Sequence, residues 1–325
     1  VFVLLSNFII KGIGKKNTVL LGLAMIFIFG LVPVFTTNFK IVFISRLLLG
    51  AGIGLFNSLS ISMISDFFDE DTRGTMIGMR TAFLNIGKAL TTFISGYLIV
   101  YGVQYTFLVY ALALPIFVLF LVFVPNPKNN ESKQISIKFH KETIILTLLT
   151  LLVGISYMGA TIKIPTLLVE KYHLHPEVSR NLLTILAISG IFSGFLFGEL
   201  VKKFKNLTLS IMLLFMTCGS FIFAIFQSSI LFTIGAILIG ISFVGTMSFN
   251  FFYISKKLEN KYINFATSVI LVGGNIGVIL TPVVLTKLPV IFRLEKYITP
   301  FYITTILMLI CTIISYFALK NDKKN

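Results

Sequence analysis

Residues 46–96 read RLLLGAGIGLFNSLSISMISDFFDEDTRGTMIGMRTAFLNIGKALTTFISG. The pattern is an apolar helix, a short charged loop and a second apolar helix. Each apolar run has the length needed to cross a bilayer, which is about 20 residues for a helix. Gly50, Gly52 and Gly54 follow Arg46 closely. Small residues gathered on two helical turns let a neighbouring helix approach in lipid, where packing and not the hydrophobic effect drives association. Asp66 ends the first helix and Arg73-Gly74 opens the second.

Apolar runs of this length recur along the whole chain. Of 325 residues 56% are hydrophobic, and the mean hydropathy is +0.97. A soluble domain of ordinary composition breaks such runs up; here the expected class is an all-α polytopic membrane protein. The net charge of +15 is then no nucleic-acid footprint, because the lysines sit between apolar runs, where basic residues set topology. Spans are expected near 1–10 (the end of one only), 18–36, 41–66, 75–100, 104–124, 142–168, 179–201, 207–227, 229–254, 263–287 and 298–319. The one long polar connector, 125–141, divides the chain into an incomplete N-terminal helix bundle, 1–124, and a C-terminal bundle, 142–319. A basic tail, 320–325, follows. Cys218 and Cys311 fall inside spans and read as small core hydrophobes, not as a disulfide.

Loops on one side carry Lys11, Lys15, Lys16, Arg73, Lys128, Lys133, Lys138, Lys141, Lys202, Lys203, Lys205, Lys256, Lys257 and Lys261, and the tail adds Lys320, Lys323 and Lys324. The other side carries Lys40, Lys171, Arg180, Lys287, Arg293 and Lys296. That is 17 against 6, and the positive-inside rule makes the first set cytoplasmic.

The heptapeptide pattern N-I-G-x-x-L-T occurs at Asn85–Thr91 and again at Asn275–Thr281, 190 positions later. The same shift carries Gly50 onto Gly240. A shift close to it brings the basic loop at Lys11 near the one at Lys202. These coincidences indicate two parallel six-span halves, a hallmark of secondary transporters. Subtracting the shift from the start of the second half puts the matching start about 48 residues before Val1, so the first helix and most of the second are expected to precede this sequence.

The Arg46-and-glycine run, the D-x₆-R-G segment from Asp66 to Gly74, and Gly78 together resemble the fourth and fifth transmembrane helices of the major facilitator superfamily. The resemblance implies a fold of two six-helix bundles, with about eleven spans present of twelve. It implies alternating access to a site near the bilayer midplane and a small-molecule substrate. No cofactor, metal or nucleic-acid partner is implied; a monomer in the cell membrane is expected. The loop at 7–19 matches the family signature G-x-L-x-D-R-x-G-R-K only in part. Gly14, Lys15 and Lys16 fit, whereas Asn7 and Lys11 replace its first Gly and its Asp. In the family this loop latches the cytoplasmic side; a plain basic turn is the alternative.

Asp66 sits at a helix C-terminus, where the dipole disfavours an anion. It therefore needs a cation, either Arg73 or Lys15. With Lys16 these form the expected cytoplasmic gate, a charge pair made in one conformation and broken in the other; a solvated loop charge is the alternative. Lys88 lies near the middle of its span, where a cation costs ~2.5–3.5 kcal/mol on insertion scales. Thr81, Asn85, Lys88, Thr92 and Ser95 fall on one helical face, and a polar stripe at that depth belongs against a water-filled cavity. In the family the fifth helix borders the central pathway. The alternative is a structural Lys neutralised by a carboxylate outside the sequence given. Asn57, Tyr157, Asn250 and Asn275 are further cavity candidates, each also readable as packing. Arg46 matches the Arg that related drug/proton carriers use in proton transfer with an acid on the first helix; helix–helix adhesion is the alternative. The antiporter signature G-x-x-x-G-P-x-x-G-G is not intact, since Thr91-Thr92 stands in place of Gly-Pro. His173 and His175 with Glu170 and Glu177 read as a solvated outer loop and not as a metal site.

The expected function is transport of a small organic solute or drug, by proton-coupled efflux. Organic anion uptake or exchange on the same fold is the alternative. An intramembrane enzyme would need clustered catalytic His or Asp at membrane depth, and the sequence shows none. A non-transporting remnant is the remaining possibility.

Overall fold

A computed structural model describes residues 2–126 and 139–321. Most of the expected connector and the last four residues of the expected tail lie outside the described residues, and so do the side chains of Asn7 and Lys11. The described residues are helical, with no strand among them. In chain order the helices are α1 (Phe2–Phe35), α2 (Phe39–Phe67), α3 (Glu70–Leu98), α4 (Ala113–Phe123), α5 (Lys141–Pro165), α6 (Pro176–Phe204), α7 (Leu207–Ile225), α8 (Ser229–Lys257), α9 (Asn260–Pro282), α10 (Leu288–Ile291) and α11 (Thr299–Asn321). A 3₁₀ stretch, Val103–Leu112, leads into α4.

Ten helical segments are long and apolar enough to span a bilayer. They fall where hydropathy places them, apart from the stretch 1–10. That stretch is the first arm of α1, separated from the second by Gly14 at φ 80, ψ 168. A Cβ is strained in that conformation, so glycine makes the break. The spans of α5 and α9 end alike. Each reaches a proline, Pro165 or Pro282, and continues as a π-helical turn, Thr166–Lys171 or Val283–Lys287. Proline has no N–H for the carbonyl four residues back, and just beyond it the ladder slips to five-residue spacing, as in Tyr172 N–H to the Leu167 carbonyl.

The chain divides into two compact units, which interleave in sequence. The first comprises 1–69, 86–143 and 254–269. Its core holds Ile10, Val19, Leu23, Leu59 and Met63, with Phe117 and Phe120 of α4 packed on them. Here α1 and α2 meet at Gly22 and Gly52: a Cβ on Gly52 would sit 2.8 Å from the Gly22 carbonyl oxygen. The glycine run after Arg46 thus contributes a close approach through Gly52, while Gly50 faces open space.

The second unit comprises 70–85, 144–253 and 270–325. Its core is aromatic, with Phe223 stacked between Phe232 and Phe301 at 5.2 and 5.3 Å. Glycines bring its helices together in pairs. A Cβ on Gly154 of α5 would lie 2.8 Å from the Gly274 carbonyl oxygen of α9. The first half of α3 lies against α6 in the same way, Gly78 facing the Gly194 carbonyl and Gly198 facing Thr75.

Candidate functional site

Three polar arrangements emerge from this frame. The first is set by the break at Gly14. Lys15 and Lys16 open the second arm of α1 and, as consecutive helical residues, point about 100° apart. Lys15 Nζ reaches Asp66 Oδ2 at 2.6 Å, with the two side chains only 5% and 11% exposed. Lys16 Nζ donates to the Leu121 carbonyl at 2.9 Å, one of the last carbonyls of α4, which lack helical donors. Thr18 Oγ1 donates to the Gly14 carbonyl at 2.7 Å and steadies the turn. Of the two cations the sequence offers Asp66, the ion pair observed is with Lys15.

The second lies around Arg46. Its Nη2 donates to the carbonyls of Phe29 at 2.9 Å and Gly30 at 3.0 Å. The guanidinium carbon stands 5.0 Å from the Phe107 ring centre and 5.5 Å from that of Tyr110. Its Nε is buried and has no partner among the described residues. Arg46 thereby joins α1, α2 and the stretch leading into α4. Asn57 stands half-buried further along α2.

The third runs along α3. At its lower end Ser248 of α8 donates to Thr81 Oγ1 at 3.2 Å, and Thr81 donates to the Ile77 carbonyl at 3.0 Å. Asn85 Nδ2 donates to the Thr81 carbonyl at 3.0 Å. Thr81 is buried and Asn85 half-buried, whereas Lys88 and Thr92 on the same face are exposed. The Lys88 ammonium makes no hydrogen bond or ion pair among the described residues, although its carbonyl accepts from Thr91 Oγ1 at 3.1 Å. The repeat-related helix α9 changes in the same sense: 263–268 are buried, and Asn275 is exposed.

The remaining candidates are held within the second unit. Tyr157 of α5 stacks on Phe243 of α8 at 3.7 Å. Asn250 is fully buried and donates from Nδ2 to Thr150 Oγ1 at 2.9 Å. One cation escaped the sequence reading. Arg80, ten residues into α3, places its guanidinium 5.8 Å from the Phe251 ring centre. Its signal was the one that exposed Lys88, a charge inside an apolar run. Arg80 stands about 100° away from the Thr81 stripe.

The sequence profile described as Major Facilitator Superfamily matches residues 1–282 and 146–325. The chain belongs to the major facilitator superfamily. Two curated relatives, each named an uncharacterized transporter, come from Rickettsia. The one from Rickettsia bellii is 26% identical over 202 residues, 58% of this chain and 50% of the relative. The one from Rickettsia felis is 24% identical over 230 residues, 65% and 56% of the respective lengths. This superfamily member therefore spans about half the length of the curated relatives it matches.

Solved superfamily structures share its fold at low identity. The transporter FucP in the outward conformation superposes with a TM-score of 0.79 at 13% identity, covering 97% of this chain and 86% of that one. The human organic anion transporter MFSD10 gives 0.82 at 13%, covering 96% and 80%. The proton:xylose symporter XylE gives 0.75 at 12%, covering 97% and 82%. These likenesses establish the fold, and the family match with the ten membrane-length helices makes the chain a multi-pass membrane protein of a transporter family.

Proposed function

We propose that the chain carries a small organic solute across the cell membrane by alternating access, driven by the proton gradient in the direction of export. The observation that carries this reading is the polar face of α3, buried where Thr81 meets Ser248 and exposed at Lys88 and Thr92. An ammonium at membrane depth requires water or a counter-charge, and a solute path supplies the first. Cargo contacts are assigned to Lys88, Asn85, Thr92 and Thr81, with Asn57, Tyr157, Asn250 and Asn275 as further contacts. Arg46 is assigned to proton coupling, its Nε, without a partner among the described residues, being the donor left over from packing. Lys15, Lys16, Asp66 and Arg73 are assigned to the cytoplasmic gate, resting on the short Lys15–Asp66 pair. The connector 125–141 would join the bundles 1–124 and 142–319 on the cytoplasmic side, and the carrier would act as a monomer.

A second reading, uptake or exchange of an organic anion, draws on Lys88 itself. A cation without an ion-pair partner among the described residues favours a cargo that brings the opposite charge. Everted membrane vesicles separate the two readings. Solute accumulation that collapses when the pH gradient is dissipated supports proton-coupled export. Accumulation that persists without the gradient, and is stimulated by anion loaded on the far side, supports exchange.

A further inference from the structure

A groove of roughly 360 Å³ runs between α7 and α11. It is lined by Leu207, Ile211 and Leu214 from one helix and Ile313, Tyr316 and Phe317 from the other. The hydroxyls at its edge are already engaged within the protein. Ser210 and Ser315 bond each other at 2.9 Å, and Thr312 donates to the Met308 carbonyl at 2.7 Å. The wall is therefore apolar. From Leu207 to Leu214 it extends about 10 Å at the helical rise of ~1.5 Å per residue. Half of a ~30 Å hydrocarbon core is about 15 Å, so a groove of this length, starting at the end of α7, fits within one leaflet.

The chain entering this groove is strongly basic, with three lysines within five residues of Leu207. Leu207 opens α7 just after the end of α6, whose last turn carries Lys202 and Lys203 and whose C-cap is Lys205, all three exposed. The turn is built, not loose. Lys205 adopts φ 50, its N–H bonds the Val201 carbonyl at 2.8 Å, and Thr208 returns to the Leu200 carbonyl at 3.4 Å. These lysines belong to the side that the charge count makes cytoplasmic, and anionic lipids populate the cytoplasmic leaflet.

We propose that this groove is a binding site for one anionic phospholipid of the bilayer, an acyl chain lying between α7 and α11 and the phosphate-bearing headgroup held by Lys202, Lys203 and Lys205. Acyl chains fill every lipid-facing groove without preference, since they are as apolar as leucine. Selectivity for negative charge comes from the lysine turn at its mouth. The site depends on the chain crossing a bilayer and not on what it carries.

The absence of tryptophan from the sequence gives a direct test. A Leu214→Trp chain has a single indole, placed in the groove. It is reconstituted in vesicles containing brominated phosphatidylglycerol or brominated phosphatidylcholine, and bromine quenching reports relative affinity. The expected result is a preference for phosphatidylglycerol of about tenfold or more, with three lysines at ~1 kcal/mol each setting the upper end near a hundredfold. Adding Lys202→Gln, Lys203→Gln and Lys205→Gln to that chain should bring the ratio close to one. Adding Lys256→Gln and Lys257→Gln instead should leave it unchanged. Ile306→Trp, exposed elsewhere on α11, should show no headgroup preference. Equal quenching by the two lipids at position 214 overturns the proposal. So does loss of preference in the Lys256/Lys257 control, or an equal preference at position 306. Quenching reads lipid occupancy in folded, reconstituted chain, so a failure of the transport assignment leaves its result unaltered.

Discussion

Arg46 donates to the carbonyl oxygen of Phe29, the oxygen that Pro33, four residues on, cannot serve because it has no N–H. An acceptor without a donor costs several kcal/mol at membrane depth. The proline in α1 thus creates a vacancy that a cation in α2 fills, and the rings of Phe107 and Tyr110 close over the charge. Arg46→Ala should destabilise the fold by about 1.5–3 kcal/mol, the range for a hydrogen bond to a charged group. In a Pro33→Ala background, where the restored backbone N–H can serve Phe29, the same change should cost less. A double-mutant cycle of unfolding in mild detergent checks the coupling, expected at about 0.5–3 kcal/mol. Additivity would mean that the two residues do not share that oxygen.

The Lys15–Asp66 pair makes a sharper claim. With both side chains nearly buried, removing one partner strands the other's charge. Lys15→Met should cost on the order of 3–5 kcal/mol, whereas Lys15→Met with Asp66→Leu should recover much of it. Thermal unfolding of the two variants decides. If Lys15→Met is as stable as the parent chain, Asp66 has another cation in solution.

How much of this was legible beforehand differs from residue to residue. The spans were, because runs of apolar residues must hide their backbone polarity in helices wherever lipid is the solvent. The repeat was legible in the two Asn-Ile-Gly segments. The partner of Asp66 was not, since the choice between Arg73 and Lys15 depends on where the Gly14 break aims the chain. The Ser248–Thr81 bond joins residues 167 apart, and helix–helix contacts at that separation leave no mark on local periodicity. Arg80 was legible as a charge inside an apolar run.

The loop before α11 should respond to acid. Burial works against a charged Glu295. The amides of Ile298 and Tyr297 and the ammonium of Lys171, 3.2 Å away, outweigh it and hold its pKa below the ordinary 4.5. A carboxylate depressed on folding stabilises above its unfolded pKa, and the contribution fades as pH falls through the lower folded value. The thermal midpoint of the parent chain should exceed that of Glu295→Gln near neutrality, and the gap should close below about pH 4.5. A gap independent of pH would mean that the carboxylate's charge is not what holds the loop.

Water along α3 can be read by cysteine labelling. In a chain with Cys218 and Cys311 replaced by alanine, a membrane-impermeant thiol reagent should modify Thr92→Cys quickly and Thr81→Cys slowly, because Thr81 is buried beneath Ser248 and Thr92 is exposed. Thiols react as thiolates, which require water. If the thiol at position 92 were as inert as the one at position 81, the exposed face of α3 would be meeting lipid, and the solute path would have to be sought on another helix.

Lys88 carries the last prediction because its cost has to be met by something. A cation near mid-span is unfavourable by ~2.5–3.5 kcal/mol on insertion scales, and Lys88 has no ion pair among the described residues to offset it. Were it structural, Lys88→Ala would lower stability by breaking a contact. Because its ammonium has no polar partner to lose among the described residues, the chain should insert and unfold at or above the parent's midpoint. The loss should appear in transport instead, as abolished or re-specified solute movement in everted vesicles. Lys88→Arg keeps the charge but changes its shape and hydration, so it should bind an anionic cargo yet move it more slowly. A Lys88→Ala chain that transports at unchanged rate and selectivity would remove this residue from the path. One that fails to insert would return it to a structural role.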